Sequence, residues 1–573
     1  MTAPTFLSAL GSGDLARGLF TPFPRQGPAD QAAGDVVASE LEKFLRARLD
    51  PDRVDLTGEL PSRFADDLRG SGYLGLCMPA ELGGLALSPY NAFSAIEHAA
   101  ALCMPAGQML AIQAGVGAPA LYPALPPGPL REHVGERLAA GAISGFGFTE
   151  PAGQNNVWPG TTATRSADGL TYVLRGRKVF TGHGPLADLL AVAATEHTEK
   201  GRRLCVCFVD TSAAGFEVTS HVEFTGSRGL PNGALSLDGV EVPAAHVVRG
   251  EPEEPRFPDL MASALLTGQL YFTAAPAMAI AKLCRRWSGE FVARRTVDGR
   301  ALGSYEEIRR QLADTLAEVY AMEAVIRWSL IGSGPTDRWF ERLAAKNLLV
   351  RACWRIVDRT VSLYGAEGVE TLPSKVRRGA PPVPVERRLR DARGLRIAGN
   401  VDFMLDAQAG RRLLTGFYAE AGRSAGAAAA TGGAAGPGPD ADVLPGLSPA
   451  LRAALEQVGE QVERFYGCCR ELVDRHPDPA TLFRRERTLI LLGRIAAELF
   501  AVSAVLSRAG HEAAAGAPGD GGRLAEIYAA GAGHRLADYW RRLSAGTEGA
   551  EPDYAGVSTR WLATLGADGT PEG

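Results

Sequence analysis

A chain of 573 residues, 46% of them hydrophobic, is long enough for several domains with real cores. Its net charge of -5 and pI near 6.1 leave no basic excess to neutralise a phosphate backbone, which argues against nucleic acid as a partner. The eight cysteines lack a paired Cys-x-x-Cys zinc spacing and are too sparse for a disulfide scaffold. No unbroken apolar run of about 18 residues marks a transmembrane segment, and residues 1–20 lack a secretory pattern. A cytoplasmic protein is expected.

Residues 1–34 read as an N-terminal extension, and 35–145 as an N-terminal α-helical domain. Within the latter, Val36, Val37, Leu41, Phe44 and Leu45 recur at helical spacing, and glycines 72, 75, 83 and 84 punctuate a turn. From 146 to 252 the texture changes. Short apolar or alternating runs at 171–174, 189–193, 204–209, 216–218 and 235–237, bounded by Gly, Pro, Asp and Asn, predict a small antiparallel middle β domain. Residues 253–421 return to a C-terminal α-helical bundle, with 262–292, 308–331 and 338–364 each long enough to cross it. Residues 422–446 are rich in Ala, Gly and Pro and read as a flexible linker; 447–573 read as an additional, separate helical domain. The fold class is α+β.

Several motifs follow this order: Phe146-Gly147-Phe148-Thr149-Glu150-Pro151, then Gly176-Arg177-Lys178-Val179-Phe180-Thr181-Gly182-His183-Gly184 with Ala187-Asp188, then Leu237-Asp238-Gly239-Val240-Glu241-Val242-Pro243. Arg295-Thr296, Tyr364-Gly365-Ala366-Glu367-Gly368 and Pro384-Val385-Glu386-Arg387-Arg388-Leu389-Arg390-Asp391-Ala392 complete the series. Together they resemble the acyl-CoA dehydrogenase family, whose patterns read ALTEP, GxKxWITNGxxAD, FDDVxVP, GGxG and YPVERxxRDA. Residues 484–510 resemble the extra C-terminal domain of very-long-chain acyl-CoA dehydrogenases. The resemblance implies FAD as cofactor and an acyl thioester, on coenzyme A or an acyl carrier protein, as substrate. It also implies a homodimer or a heteromer with a homologue. Peripheral membrane contact through Arg464, Arg470, Arg475, Arg484, Arg485, Arg487 and Arg494 competes with a plain solvated helix face. The insertion 371–382, with Lys375, Arg377 and Arg378, could receive phosphates or an acidic carrier protein, though a solvated loop is the stronger reading.

The resemblance assigns cofactor contacts to Phe148, Thr149, Phe180, Gly182, Arg295, Ser362, Gly365 and Gly368, and substrate contacts to Asn155, Gln269 and Ala398. Three of these depart from the family pattern: Gly182 replaces a hydroxyl beside the flavin, Ser362 replaces a Gln at the adenosine end, and Asn155 lies in a Gln-Asn-Asn that replaces Gly-Ser-Asp. The family chemistry needs a base for the proton alpha to the thioester carbonyl and a flavin for the beta hydride. Here the base position holds Gly399 or, with one deletion, is absent. The alternative base position, on the long helix, holds Gln269 followed by Leu270, and an amide takes no proton. Asp402 is a substitute base by proximity alone, with a capping or solvated aspartate as the plainer reading. The expected function is an acyl-CoA dehydrogenase-like flavoenzyme with a remodelled site. A non-catalytic subunit of a heteromeric dehydrogenase and a flavin enzyme of base-independent chemistry, N-oxygenation or non-redox cyclisation, are the alternatives.

Overall fold

The structure is a computed structural model and describes all residues except 1–4, 16, 154–157, 255, 256, 258, 333–337, 427–443, 445, 548–550 and 568–573. Its first long helix, Pro28–Arg46, starts with proline in the first turn, where the missing N–H costs nothing. It buries Ala38, Leu41 and Leu45, while Val36 faces solvent. Pro89–Leu102 begins at a Ser88 cap that accepts from Asn91 N. The next helix, Met104–Gly115, is buried along its whole length and forms the inner wall of the N-terminal half.

The middle domain is one sheet of eight strands: β1 Ser144–Gly147, β2 Thr162–Arg165, β3 Thr171–Gly182, β4 Leu189–Thr198, β5 Gly201–Asp210, β6 Phe216–His221, β7 Asn232–Pro243 and β8 Val247–Arg249. Its order is β6-β7-β3-β2-β4-β5-β8, with β1 beside β4. Both β1 and β2 run parallel to β4, so the sheet is mixed rather than antiparallel throughout. A period of two in the sequence reports which face is buried, not which way the neighbour runs.

Past the sheet, the bundle consists of Asp259–Gln269, a π-helical turn Leu270–Ala274, Ala275–Arg294, Glu306–Leu330, Trp339–Tyr364 and Asp402–Gly426. The last of these runs into the stretch expected as a linker, most of which lies outside the described residues. The additional terminal helices Pro449–Arg475, Glu486–Ala514 and Gly521–Thr547 share a core with the bundle. Leu455, Leu492, Leu499 and Trp540 belong to the same continuous hydrophobic core as Leu41, Phe93, Ile280, Val350 and Leu414. The N-terminal segment joins it too: Phe6 packs on Phe500 with ring centroids 5.7 Å apart, and Ser507 Oγ donates to Phe20 O at 2.6 Å.

Among the described residues, two helices, Ala264–Arg294 and Glu486–Ala514, are long and apolar enough to cross a membrane by length and composition. In Glu486–Ala514, with a window hydropathy of 2.1, 89% of that window is buried against other helices. Of the seven arginines considered for lipid contact, five have partners: Arg464 lies over Trp540, Arg470 over Tyr466, Arg475 pairs with Glu471, Arg487 with Glu551 and Arg494 with Asp406.

Glycines set the spacing between Asp402–Gly426 and Glu486–Ala514. A methyl at Gly410 would lie 2.1 Å from Leu489 O, and one at Gly493 would lie 2.2 Å from Asp406 O. Gly410→Ala is therefore expected to force the helices apart and lower stability by about 1–3 kcal/mol. Gly416→Ala on the same helix meets open space and should be neutral or stabilising by up to about 1 kcal/mol. Urea denaturation of both variants checks the contrast.

Candidate functional site

The Thr149-Glu150-Pro151 turn leaves β1 on a buried ionic pedestal. Glu150 accepts from Lys178 Nζ at 2.7 Å, Gly160 N at 2.6 Å, Thr161 N at 2.9 Å and Thr161 Oγ1 at 2.6 Å. Burial works to raise the Glu150 carboxyl, and the Lys178 and Thr161 hydrogen bonds overcome it, leaving its pKa below the ordinary value. Lys178 also donates to Phe148 O at 3.3 Å, and Val179 N to Thr149 O at 2.8 Å, so one strand fixes the turn from behind. The Phe148 ring is held between Phe257 at 5.0 Å and Phe146 at 6.0 Å.

Beside this turn β3 is irregular: its register against β7 shifts between Lys178 and Thr181, and Phe180 takes a left-handed φ of 56°. For a bulky aromatic that conformation is strained, by about 1–3 kcal/mol, and it leaves the ring 55% exposed. Next to it, Thr181 Oγ1, His183 Nε2 and Asn232 Oδ1 are buried without a hydrogen-bond partner among the described residues. His183 Nδ1 gives its proton to Ser144 O at 2.8 Å, and burial pushes its pKa down to about 4, so the imidazole is neutral with a spare lone pair on Nε2.

Gly182 is occupied space rather than a void. A Cβ there would lie 2.6 Å from Ile112 Cδ1, so hydrocarbon fills the place of a hydroxyl. Nothing in the sequence points to Ile112. The same helix carries Gly115, whose Cβ would meet Gly268 Cα at 2.6 Å. Helix 104–115 therefore bridges Gly182 and the residue before Gln269.

Gln269 ends its helix at the π-helical turn, where Thr273 Oγ1 donates to Gln269 O at 2.6 Å. Across from it stands Gly399, whose Cβ would lie 3.2 Å from Gln269 Cγ. The two positions considered for a base thus face each other, and neither is an acid. Gly399 (φ 62°) and Asn400 (φ 77°) are both left-handed, a turn that glycine and asparagine tolerate best. Ala398 precedes it, its N–H bonded to Gly394 O at 3.0 Å.

Asp402 does not offer a base. It is buried, and its Oδ2 accepts from Arg396 at 2.8 Å and Arg351 at 3.1 Å. Burial raises its pKa, but the two guanidiniums outweigh that and hold it below the ordinary range. The substitute-base reading is corrected on that ground: a carboxylate held by two arginines is a weak proton acceptor. Lys346, overlooked in the sequence, sits behind the turn. Its side chain is fully buried, Nζ donates to Asn400 O at 2.8 Å, and burial pushes its pKa down to about 7. An isolated lysine in an apolar helical run was its only signal.

At the far end, Arg295 is 3.4 Å from Glu367 and lies over Phe291, and the Ser362 hydroxyl donates to Asp358 O at 3.1 Å. Gly365 is left-handed and exposed; Gly368 is buried, where a methyl would reach within 2.5 Å of Val361 O. The insertion is no open basic loop, because Lys375 is buried with Nζ on Val383 O at 2.6 Å and Arg378 is paired with Glu370. Asn155 lies outside the described residues. The β domain meets the bundle at Ser227, whose N–H donates to Asp391 Oδ1 at 2.7 Å.

Three family models match this chain: acyl-CoA dehydrogenase N-terminal domain at residues 34–124, middle domain at 145–240 and C-terminal domain at 263–414. Together they span more than half of it, and the chain belongs to the acyl-CoA dehydrogenase family. Probable acyl-CoA dehydrogenase FadE10 of Mycobacterium tuberculosis is 29% identical over 402 residues, 69% of this chain but 61% of that protein. Probable acyl-CoA dehydrogenase YngJ of Bacillus subtilis is 25% identical over 371 residues, 63% of this chain and 93% of its own. An acyl-CoA dehydrogenase complexed with FAD from Bacillus anthracis shares the fold with a TM-score of 0.75 at 16% identity, covering 99% of this chain and 96% of that one, terminal helices included.

Lys178→Met would leave the Glu150 carboxylate buried and unpaired, and is expected to cost about 3–5 kcal/mol of stability. Adding Glu150→Gln should recover part of the loss, as read by chemical denaturation. Since Glu150 titrates below its ordinary value, its contribution is present above that value and is lost as pH falls through the folded-state pKa.

Proposed function

We propose that this protein is an FAD-binding oxidoreductase of acyl thioesters whose pocket lacks a carboxylate for the alpha proton. The facing pair Gly399 and Gln269 carries this reading; Gly268, beside Gln269, meets helix 104–115 at Gly115, one turn beyond the Ile112 that meets Gly182. The irregular end of β3 suits a flat heteroaromatic ring with a polar rim: an exposed, strained Phe180 stands beside the buried Thr181 Oγ1, His183 Nε2 and Asn232 Oδ1, which have no partner among the described residues. Phe148 and Thr149 would hold the same ring, and Arg295 would serve a diphosphate on leaving Glu367. When bound, FAD supplies the acceptor for the beta hydride.

The chain's own contribution is binding and exclusion of water. The Gln269 amide, beside Gly399, could donate to and accept from the acyl group but takes no proton from it. Ile112 keeps the neighbourhood of Gly182 dry. The thioester is carried on coenzyme A or an acyl carrier protein. A second reading, a non-catalytic partner of an active homologue in a mixed oligomer, is favoured by Ser362 and Arg295 being engaged with their own neighbours.

Purified protein incubated with FAD is expected to retain it and turn yellow; failure to load rejects the reading. Gln269→Glu supplies an acid from an unstrained helix, and should speed anaerobic bleaching of the flavin by an acyl-CoA by about 10²-fold or more. Gly399→Glu should gain less, because a side chain in a left-handed conformation costs about 1–2 kcal/mol and crowds Gln269. Equal gains would contradict the geometry, and bleaching by the unaltered protein only when a homologue is added would favour the second reading.

A further inference from the structure

We infer that Arg494, on the terminal helix Glu486–Ala514 outside the segments matched by the family models, is a positioning residue for the Gly399–Asn400 turn, acting through Asp406, Arg351 and Asp402. The connection is continuous. Arg494 Nε donates to Asp406 Oδ2 at 2.8 Å. Arg351 grips that same carboxylate and reaches Asp402 Oδ2 with Nε at 3.1 Å. Asp402 in turn accepts from Arg396 Nε at 3.0 Å and Nη2 at 2.8 Å, and its N–H donates to Arg396 O at 3.1 Å, closing the loop that contains Gly399. Asn347 ties both aspartates to the bundle, donating to Asp402 O at 2.7 Å and Asp406 Oδ1 at 2.8 Å.

Two features make this a constraint rather than a surface pairing. Asp402 and Asp406 are both buried, so each needs its cationic partners in place. The helix bearing Arg494 is also in backbone contact with the helix bearing Asp406: residue 493, next to Arg494, is the glycine whose added methyl would strike Asp406 O. Close packing of Gly493 on Asp406 thus brings Arg494 up to that carboxylate. The terminal helices thereby supply one wall of the support for a turn that the three family domains leave held by Arg351, Arg396 and Lys346. That the turn lines a catalytic pocket rests on the function proposed above; the mechanical coupling does not.

Hydrogen exchange followed by mass spectrometry separates the two. In Arg494→Met, amides of residues 397–402 are expected to exchange at least about tenfold faster, the scale of a lost charge-assisted hydrogen bond. Arg494→Lys should restore part of the protection, and Asp406→Asn should loosen the same amides from the other side. Arg535→Met is the comparator. It removes a pair of similar burial within the terminal helices, Arg535 to Glu498 at 2.9 Å, and should loosen helix 521–547 while leaving 397–402 protected. Unchanged exchange at 397–402 in Arg494→Met overturns the inference, as does equal loosening in Arg535→Met. If Arg494→Met does not fold, Arg494→Lys and Asp406→Asn carry the comparison. Failure of the unaltered protein to load FAD would remove the proposed function and leave the exchange result standing.

Discussion

Two carboxylates one helical turn apart, Asp402 and Asp406, are the charges around which the helical half of the molecule is assembled. A buried carboxylate without partners is costly enough that the surrounding structure must bring cations to it. Here they come from three directions: Arg351 from the bundle, Arg396 from the preceding turn and Arg494 from the terminal helices. The position of the Gly399 turn, the angle of helix 402–426 and the seat of helix 486–514 all answer to that requirement.

The altered positions are packed, not hollow. Where Gly182 lacks a hydroxyl, Ile112 fills the space, and where Gly399 lacks a side chain, Gln269 stands within contact distance. Protein interiors tolerate few voids, and a deletion left uncompensated costs both transfer and cavity terms. Each glycine with its filler is a stable arrangement of its own.

The three-part order of the chain was legible because turn residues, apolar runs and helical stripes mark element boundaries directly. The motifs likewise pointed to Thr149, Phe180, Gly182 and Gly399, and the family resemblance to Gln269. What the sequence did not carry was the partner of each buried group. Asp402 reads as a free acid until Arg351, far along the chain, is seen beside it. An amphipathic helix such as 449–475 announces that one face is covered, but not that the covering is the bundle's own core. The apolar stretch 486–514 fails as a membrane signal for the same reason, since a helix buried on all sides has the composition of one that spans lipid. Parallel pairing of β1 and β2 with β4 had no local signature at all.

The packing of Phe6 and Phe20 on the terminal helices bears on how the chain comes to be folded. Ser507 and Phe20 are 487 positions apart, and one hydrogen bond joins them. During synthesis, which proceeds from the N-terminus at about 5–20 residues per second, the first segment emerges tens of seconds before the helix it packs against. Phe6 meets Phe340 and Glu341 earlier, but its contact with Phe500 and the Phe20–Ser507 hydrogen bond wait for that interval. The packing of residues 6–20 is complete only once helix 486–514 has been made.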